Sequence, residues 1–141
     1  MADDANPMTH FNQRIIDEFR ANGGVVGEPF TGATVVLLTT KGAKSGATRV
    51  NPLVALVEGE TVYVFASKGG APTNPDWYYN LMAEPEVHLE IGTESYDAVA
   101  IEVTGTERDE IYERQVAVQP GFGAYRDQTT RAIPVISLRR S

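Results

Sequence analysis

The residues best suited to bind a ligand lie in the segment KGAKSGATR, residues 41–49. Its two glycines let backbone N–H groups approach an oxyanion closely. Its charged and hydroxyl donors are Lys41, Lys44, Ser45 and Arg49. An arginine can hold a phosphate through two parallel hydrogen bonds. The pattern predicts an anion site, and a solvated hairpin turn with ordinary surface cations is the alternative.

The charge distribution favours the anion site. From residue 29 to residue 57 the chain has three basic residues and no Asp or Glu, although it carries 12 basic and 19 acidic residues in total. A protein with a net charge of −7 repels anions over most of its surface. One segment that has stayed basic and glycine-rich is therefore suited to a phosphate or a polycarboxylate.

A second glycine-rich segment, SKGGAPT over residues 67–73, precedes a strong helix start at residues 74–76. Asn74 can cap that helix, with Pro75 at its first position. A helix N-terminus offers free N–H groups and a partial positive charge to an anion. Trp77 can offer a flat ring face to an aromatic ligand. A helix cap beside a core tryptophan is the alternative interpretation.

A third segment, residues 119–125, contains two glycines and two aromatic residues, Phe122 and Tyr125. Glycines make such a segment flexible, and aromatic bulk on a flexible segment can close over a site as a lid. A simple helix–strand connection with one packing aromatic residue explains the pattern equally well.

Composition excludes several kinds of site. The chain has no cysteine and two histidines, so a thiol nucleophile is impossible and we expect no metal site. The net charge of −7 opposes binding to nucleic acid. No apolar run approaches the roughly 20 residues of a membrane span, and the N-terminus is unlike a secretory signal. We expect a cytoplasmic protein; peripheral association with a membrane stays open.

The apolar pattern predicts a single domain, mainly β with flanking helices. The predicted strands are residues 34–40, 48–57, 61–67, 87–91, 96–104 and 133–138, and the predicted helices are residues 9–22, 75–83, 106–118 and 125–130. Thr9 would cap the first helix after a loose tail at residues 1–8. Most strands are joined by turns too short for parallel crossovers, so we expect six or seven antiparallel strands in a small barrel. Residues 1–29 would form the tail and amphipathic helix, and residues 30–141 the barrel.

Over residues 30–138 the chain resembles the deazaflavin-dependent nitroreductase family, whose members are split β-barrels, similar to FMN-binding barrels, that bind coenzyme F420. The resemblance rests on LLTT at residues 37–40, the two glycine-rich loops, and RVNPL at residues 49–53. It continues through NP, WY and NL between residues 74 and 81, and more weakly through TRAIP at residues 130–134. The two loops together with the last motif are specific at this spacing.

The resemblance implies a set of cofactor-binding residues. The first loop and its arginine would hold the phosphate and acidic tail of the cofactor, and the strand that leads into the second loop would line its ring. Carried onto this sequence, the set is Ala43, Lys44, Ser45, Gly46, Arg49, Val64, Phe65, Ala66, Ser67, Lys68, Asn74, Trp77 and Tyr78. Phe122 and Tyr125 would line the pocket of the acceptor, with Tyr125 as a candidate proton donor.

The implied reaction is hydride transfer from the reduced deazaflavin to an electron-poor small molecule such as a quinone, an activated alkene or a nitro compound. Nitroreducing members place several tyrosines in the lid, whereas this chain has Gln119 and Phe122 at two of those places. A quinone or enone is therefore the preferred acceptor. An F420 carrier with little turnover and an FMN-dependent split-barrel oxidoreductase stay open as alternatives. Open strand edges would also allow a homodimer.

Overall fold

Six antiparallel strands close into a barrel in the order β1-β2-β3-β6-β5-β4. This computed structural model describes residues 7–141. The strands are β1 (Val35–Lys41), β2 (Thr48–Glu58), β3 (Thr61–Phe65), β4 (Glu86–Ile91), β5 (Glu94–Val103) and β6 (Val135–Arg140). The helices are α1 (Pro7–Ala21), α2 (Asp76–Ala83), α3 (Gly105–Val118) and α4 (Gly121–Asp127). The predicted antiparallel barrel with flanking helices is therefore confirmed, with six strands.

Strand β1 is buried on both faces, as its unbroken apolar run predicts. Its first four residues, 35–38, are each at most 4% exposed. Val36 and Leu38 face the barrel interior, where they pack with alternate residues of the other strands. Val35 and Leu37 face outward and are covered by α1.

Two groups of helices cover the outside of the barrel. Ile15, Ile16 and Phe19 of α1 pack on β1, which confirms the predicted apolar face of this helix. On the β3 and β6 side, Ile111 of α3 and Phe122 of α4 belong to a second cluster, which also includes Phe65 and Val135. No helix among residues 7–141 has the length and apolar composition needed to cross a bilayer.

All long connections between strands lie at one end of the barrel. The odd-numbered strands end there and the even-numbered strands begin there, because every neighbouring pair is antiparallel. This end, which we call the loop end, carries residues 42–47, residues 66–85 with α2, and residues 104–134 with α3 and α4. At the opposite end the strands are joined by two-residue turns at 59–60 and 92–93, and residues 22–34 lead there from α1 into β1. The fold therefore brings the three predicted ligand segments to the same end.

Pro52 lies in the part of β2 along which β3 does not extend, which suits a residue without an N–H donor. Residues 48–54 of β2 pair with β1, whereas β3 pairs only with residues 55–58 of β2. The Ala55 N–H donates to Thr34 O on the β1 side at 2.9 Å. Since backbone groups alternate in direction along a strand, the Pro52 nitrogen faces the side that β3 leaves open. A proline in this predicted strand indicates an edge position or a bulge, and the structure shows the edge position.

Several predicted boundaries were wrong. Helix α1 begins at Pro7 rather than after a cap at Thr9, and residues 1–6 of the predicted tail lie outside the described residues. Strand β3 ends at Phe65 instead of residue 67, because Ser67 has α-helical backbone angles. Helix α4 begins four residues before the predicted Tyr125, because both glycines of the expected flexible lid are helical.

Candidate functional site

The turn between β1 and β2 is a preorganised backbone cradle. Four of its amides donate within the protein, namely Gly42 to Ala47 O at 2.7 Å, Ala43 to Asn80 Oδ1 at 3.0 Å, Gly46 to Gly42 O at 2.8 Å and Ala47 to Ser45 Oγ at 3.1 Å. The amides of Lys44 and Ser45, between them, donate to no group of residues 7–141. Adjacent unpaired N–H groups in a turn are the usual donors of a backbone anion site.

The cradle opens on a concavity of about 390 Å³ at the protein surface. Its lining consists of residues 41–46 and the end of α2, Ala83 and Glu84. Lys41 and Lys44 contribute two positive charges against the single carboxylate of Glu84, so an anion is favoured. A Cβ at Gly42 would lie 2.7 Å from Ser45 Oγ and 3.2 Å from Ala47 O, so the Ser45 hydroxyl that accepts from the Ala47 amide would have to move. Glycine at this position therefore lets the turn pack closely on itself.

Arg49 begins the return strand beside this turn. It is exposed, and it pairs with Thr40 across the β1–β2 ladder. Because cross-strand partners share a face of the sheet, Arg49 projects from the same face as Thr40, Leu38 and the barrel interior. The predicted lysine, serine and arginine donors are thus all within one hairpin at the loop end.

Asn80, which sequence reasoning did not assign, fixes the cradle to α2. Its Oδ1 accepts from the Ala43 amide at 3.0 Å, and its Nδ2 donates to Thr40 Oγ1 at 3.3 Å. Asn80 is 8% exposed and Thr40 is 2% exposed. Buried polar pairs of this kind define a single geometry, because an unpaired amide in the interior is costly. The motif that carries the family resemblance contains Asn80, but spacing alone does not reveal its partner.

The second loop contains a run of left-handed residues. Lys68, Gly69 and Gly70 have φ angles of +47°, +63° and +85°, and Lys68 is the one non-glycine residue with positive φ among those described. The preceding Ser67 has right-handed angles of −75° and −38°. A right-handed residue followed by left-handed ones turns successive N–H groups to one side. The amides of Lys68 and Gly69 donate to no group of residues 7–141, so this loop is a second backbone nest.

Arg131 organises this second loop. Its Nε donates to Ala71 O at 3.0 Å, and its two terminal nitrogens donate to Asn74 Oδ1 at 2.6 Å and to Ser67 O at 2.9 Å. The predicted role of Asn74 as a helix cap was wrong, because α2 begins at Asp76 with Pro75 as its N-cap and the Asn74 side chain is bound by Arg131.

Helix α4 packs directly against the second loop. A Cβ at Gly70 would lie 2.8 Å from Gln128 Oε1 and 3.1 Å from Tyr125 O. Phe122 of α4 is 8% exposed, and its carbonyl accepts from the Tyr112 hydroxyl at 2.7 Å. Tyr125 is partly buried, and its ring lies edge-on to Phe122 at 5.2 Å. The structure therefore brings the second and third predicted segments together, with the third as a packed helix.

The predicted ring-side residues are largely in the core. Val64 and Ala66 are 0% exposed inside the barrel, and Phe65 is 5% exposed on the α3 side. Trp77 is also 5% exposed and packs in the barrel cluster, so its ring face is covered by protein. These residues form part of the core on which the second loop and α2 rest.

Tyr78 lies in the first turn of α2 and is partly buried, between the buried Trp77 and the exposed Tyr79. Its hydroxyl donates to Glu102 Oε1 at 2.7 Å. Desolvation is the largest cause and the hydrogen bond to Glu102 the next, and together they raise the pKa of Tyr78 to about 12. The phenol therefore keeps its proton through the physiological range.

A larger groove of about 1030 Å³ lies at the opposite end of the barrel. Its rim carries Arg139, Arg140, Glu60 and Glu94, and the Arg140 guanidinium stacks 4.2 Å above the Tyr96 ring. The basic and acidic side chains there balance one another, unlike those at the loop end. Size alone does not make this groove the anion site.

Among residues 7–141 no cluster of three or more histidine, aspartate or glutamate residues could hold a metal ion. The donors at the loop end are backbone amides, ammonium groups, a guanidinium and a hydroxyl, which suit an organic anion.

A sequence model of the F420H(2)-dependent quinone reductases matches residues 12–140. The chain belongs to this family. An F420H(2)-dependent quinone reductase of Mycobacterium tuberculosis is 32% identical over 126 residues, which cover 86% of this chain and 85% of that protein. The residues matched by the family model include both glycine-rich loops, α2 and Arg131, and thus the whole loop end.

Two solved structures resemble the barrel closely. One, described as an F420-H2 dependent reductase, is 37% identical with a TM-score of 0.70, and the match covers 82% of this chain and 97% of that chain. The other, described as a domain-swapped dimer, is 33% identical with a TM-score of 0.71 and covers 95% and 100% of the two chains. The family assignment therefore agrees in sequence and in fold.

Proposed function

We propose that this protein is a reductase that transfers a hydride from reduced coenzyme F420 to a quinone or a similar electron-poor acceptor. The observation that carries the proposal is the turn at residues 42–47, where the unpaired amides of Lys44 and Ser45 and the side chains of Lys41 and Lys44 line one concavity, in a segment without acids. Membership of the quinone reductase family supplies the identity of the ligand.

The residues at the loop end fit the anionic tail of F420. Lys44, Ser45 and Arg49 would bind its phosphate and carboxylates, with the free amides of the turn as additional donors. Ala43 and Gly46 would contribute shape rather than donors, because both of their amides are already bonded within the protein. The exposed position of the turn suits a long polar tail that stays partly in water.

The ring-bearing end of the cofactor would lie against the second loop, residues 67–74. Lys68 supports this placement, because its amide and that of Gly69 are unpaired while its ammonium group reaches Thr73 Oγ1 at 3.2 Å. Ser67 and Asn74 would act through the loop conformation, since the Ser67 carbonyl and the Asn74 side chain are bonded to Arg131.

When bound, reduced F420 supplies the hydride, and the protein has to orient the acceptor, exclude water and provide a proton. Tyr125 is the better proton donor of the two tyrosines near the second loop. Its backbone borders Gly70, and no described side chain accepts its hydroxyl proton. Tyr78 donates to Glu102 and its pKa is about 12, so release of its proton to an acceptor is less favourable. Phe122 would form an apolar wall of the acceptor pocket.

Fluorescence titration of the purified protein with F420 and, in parallel, with FMN tests the cofactor assignment. We expect saturable binding of F420 and much weaker binding of FMN, which has no polycarboxylate tail. Tighter binding of FMN would contradict the proposal and favour an FMN-dependent oxidoreductase.

Stopped-flow mixing of the protein–F420H2 complex with menadione tests the activity. We expect oxidation of the bound cofactor at a rate that saturates with menadione and exceeds the rate of free F420H2. A rate equal to that of the free cofactor would instead favour an F420 carrier.

A further inference from the structure

The backbone conformation of the second loop is not stable without contacts from outside the loop. Ser67 is right-handed and Lys68, Gly69 and Gly70 are left-handed, and left-handed geometry is unfavourable for a side chain such as that of lysine. Within the loop, the local backbone hydrogen bonds are those from Gly70 N–H to Ser67 O at 2.9 Å and from Ala71 N–H to Lys68 O at 3.1 Å. Such a conformation persists only when surrounding groups fix it.

Arg131 is the group that fixes it. One planar guanidinium bonds the first residue of the loop, Ser67, its middle residue, Ala71, and its last residue, Asn74, at 2.6–3.0 Å. The three acceptors are two carbonyl oxygens and an amide oxygen, so none of them neutralises the positive charge. A lysine could not replace it, because a single ammonium nitrogen cannot reach three points that lie in the plane of a guanidinium.

The arginine is itself held in place by the segment that follows α4. The Arg131 amide donates to Thr129 Oγ1 at 3.3 Å, and Gln128, just after α4, packs closely on Gly70. The loop therefore contacts both α4 and Arg131, which belong to the single chain segment 121–131.

We infer that Arg131 is a positioning residue for hydride transfer, which acts by fixing the second loop under the ring-bearing end of the cofactor. The inference rests on the proposed function for the identity of that ligand. A displacement of about 1 Å in a hydride donor is enough to lower the rate about 100-fold. Loss of Arg131 should therefore affect the transfer step more than affinity, because the first loop binds the tail independently.

The test compares Arg131→Lys with Arg114→Lys, which breaks a two-point contact with Glu58 at the opposite end of the barrel. We expect Arg131→Lys to lower the single-turnover rate with menadione about 10- to 100-fold while the Kd for F420 rises about threefold or less. Arg114→Lys should leave both within about twofold. In Arg131→Ala, added guanidinium chloride at low concentration should restore part of the rate.

Hydrogen exchange of the Gly70 and Ala71 amides gives a readout without cofactor. We expect exchange about tenfold faster or more in Arg131→Lys than in wild type or in Arg114→Lys. Unchanged exchange and rate in Arg131→Lys, or equal losses in both lysine variants, would overturn the inference. A wild-type protein that fails to bind F420 would instead overturn the proposed function, and the exchange result would still decide whether Arg131 holds the loop.

Discussion

The close approach of α4 to the second loop can be measured with two neighbouring glycines. Gly69 and Gly70 both have left-handed φ angles, but a Cβ at Gly69 would meet nothing within 4 Å, whereas one at Gly70 would contact Gln128 and the Tyr125 carbonyl at 2.8–3.1 Å. Gly69→Ala therefore reports the backbone cost alone. Gly70→Ala adds the steric cost of the contact.

The expected magnitudes follow from these geometries. A side chain in the left-handed region costs about 1–2 kcal/mol, which is our expectation for Gly69→Ala. Overpacking a close contact typically adds about 1–3 kcal/mol, so Gly70→Ala should reach about 2–5 kcal/mol. For a domain of this size, the difference between the variants corresponds to a melting temperature about 3–10 °C lower for Gly70→Ala.

Urea unfolding followed by tryptophan fluorescence measures both free energies of unfolding, because the single tryptophan, Trp77, lies in the barrel core. Equal losses in the two variants would refute the reasoning, since they would mean that α4 gives way to the added methyl group without cost.

Four further outcomes are expected. Gln115 is 0% exposed and both of its amide atoms lack a partner among the described residues, so Gln115→Met should raise the free energy of unfolding by about 1 kcal/mol or more, while the same change at the exposed Gln13 should have little effect. The pKa of Tyr78 is raised to about 12, so the stability that its protonated phenol contributes is complete below pH 10 and is lost as the pH rises toward 12. In Tyr78→Phe the free energy of unfolding should therefore fall less steeply between pH 10 and pH 12 than in wild type, and an unchanged slope would contradict the shift. Lys44→Ala should raise the Kd for F420 about tenfold in low salt and about twofold at 0.5 M salt, and a salt-independent effect would count against a charge contact. Tyr125→Phe should lower the rate of menadione reduction at an unaltered Kd for F420, and an unchanged rate would exclude Tyr125 as the proton donor.

The sequence predicts the barrel well because the strands carry strong local signals. The structure agrees with the buried strand predicted from the apolar run of β1 and with the tight turn predicted at residues 59–60, and of the edge position or bulge predicted from Pro52 it shows the edge position. The boundary of α4 was missed because glycine is a poor helix former, and here packing of Phe122 into an aromatic cluster outweighs that preference.

For the candidate site, the sequence predicts which two loops take part but not the contacts that hold them. Charge and glycine content identify the two loops, but they do not reveal that Asn80 bonds the first loop or that Arg131 bonds the second. These contacts join residues 37 to 64 positions apart, and no periodicity connects such residues. The same limitation explains the expectation that Asn74 caps a helix: local preference favours a cap, whereas a distant guanidinium binds its side chain in the fold.

Helix α2 joins the two loops. Asn74 of the second loop lies just before the start of the helix, and Asn80, which bonds the first loop, follows the first helical residue, Asp76, by four residues, a rise of about 6 Å. The length of α2 therefore fixes the separation between the two loops, because each turn of helix adds about 5.4 Å along the axis.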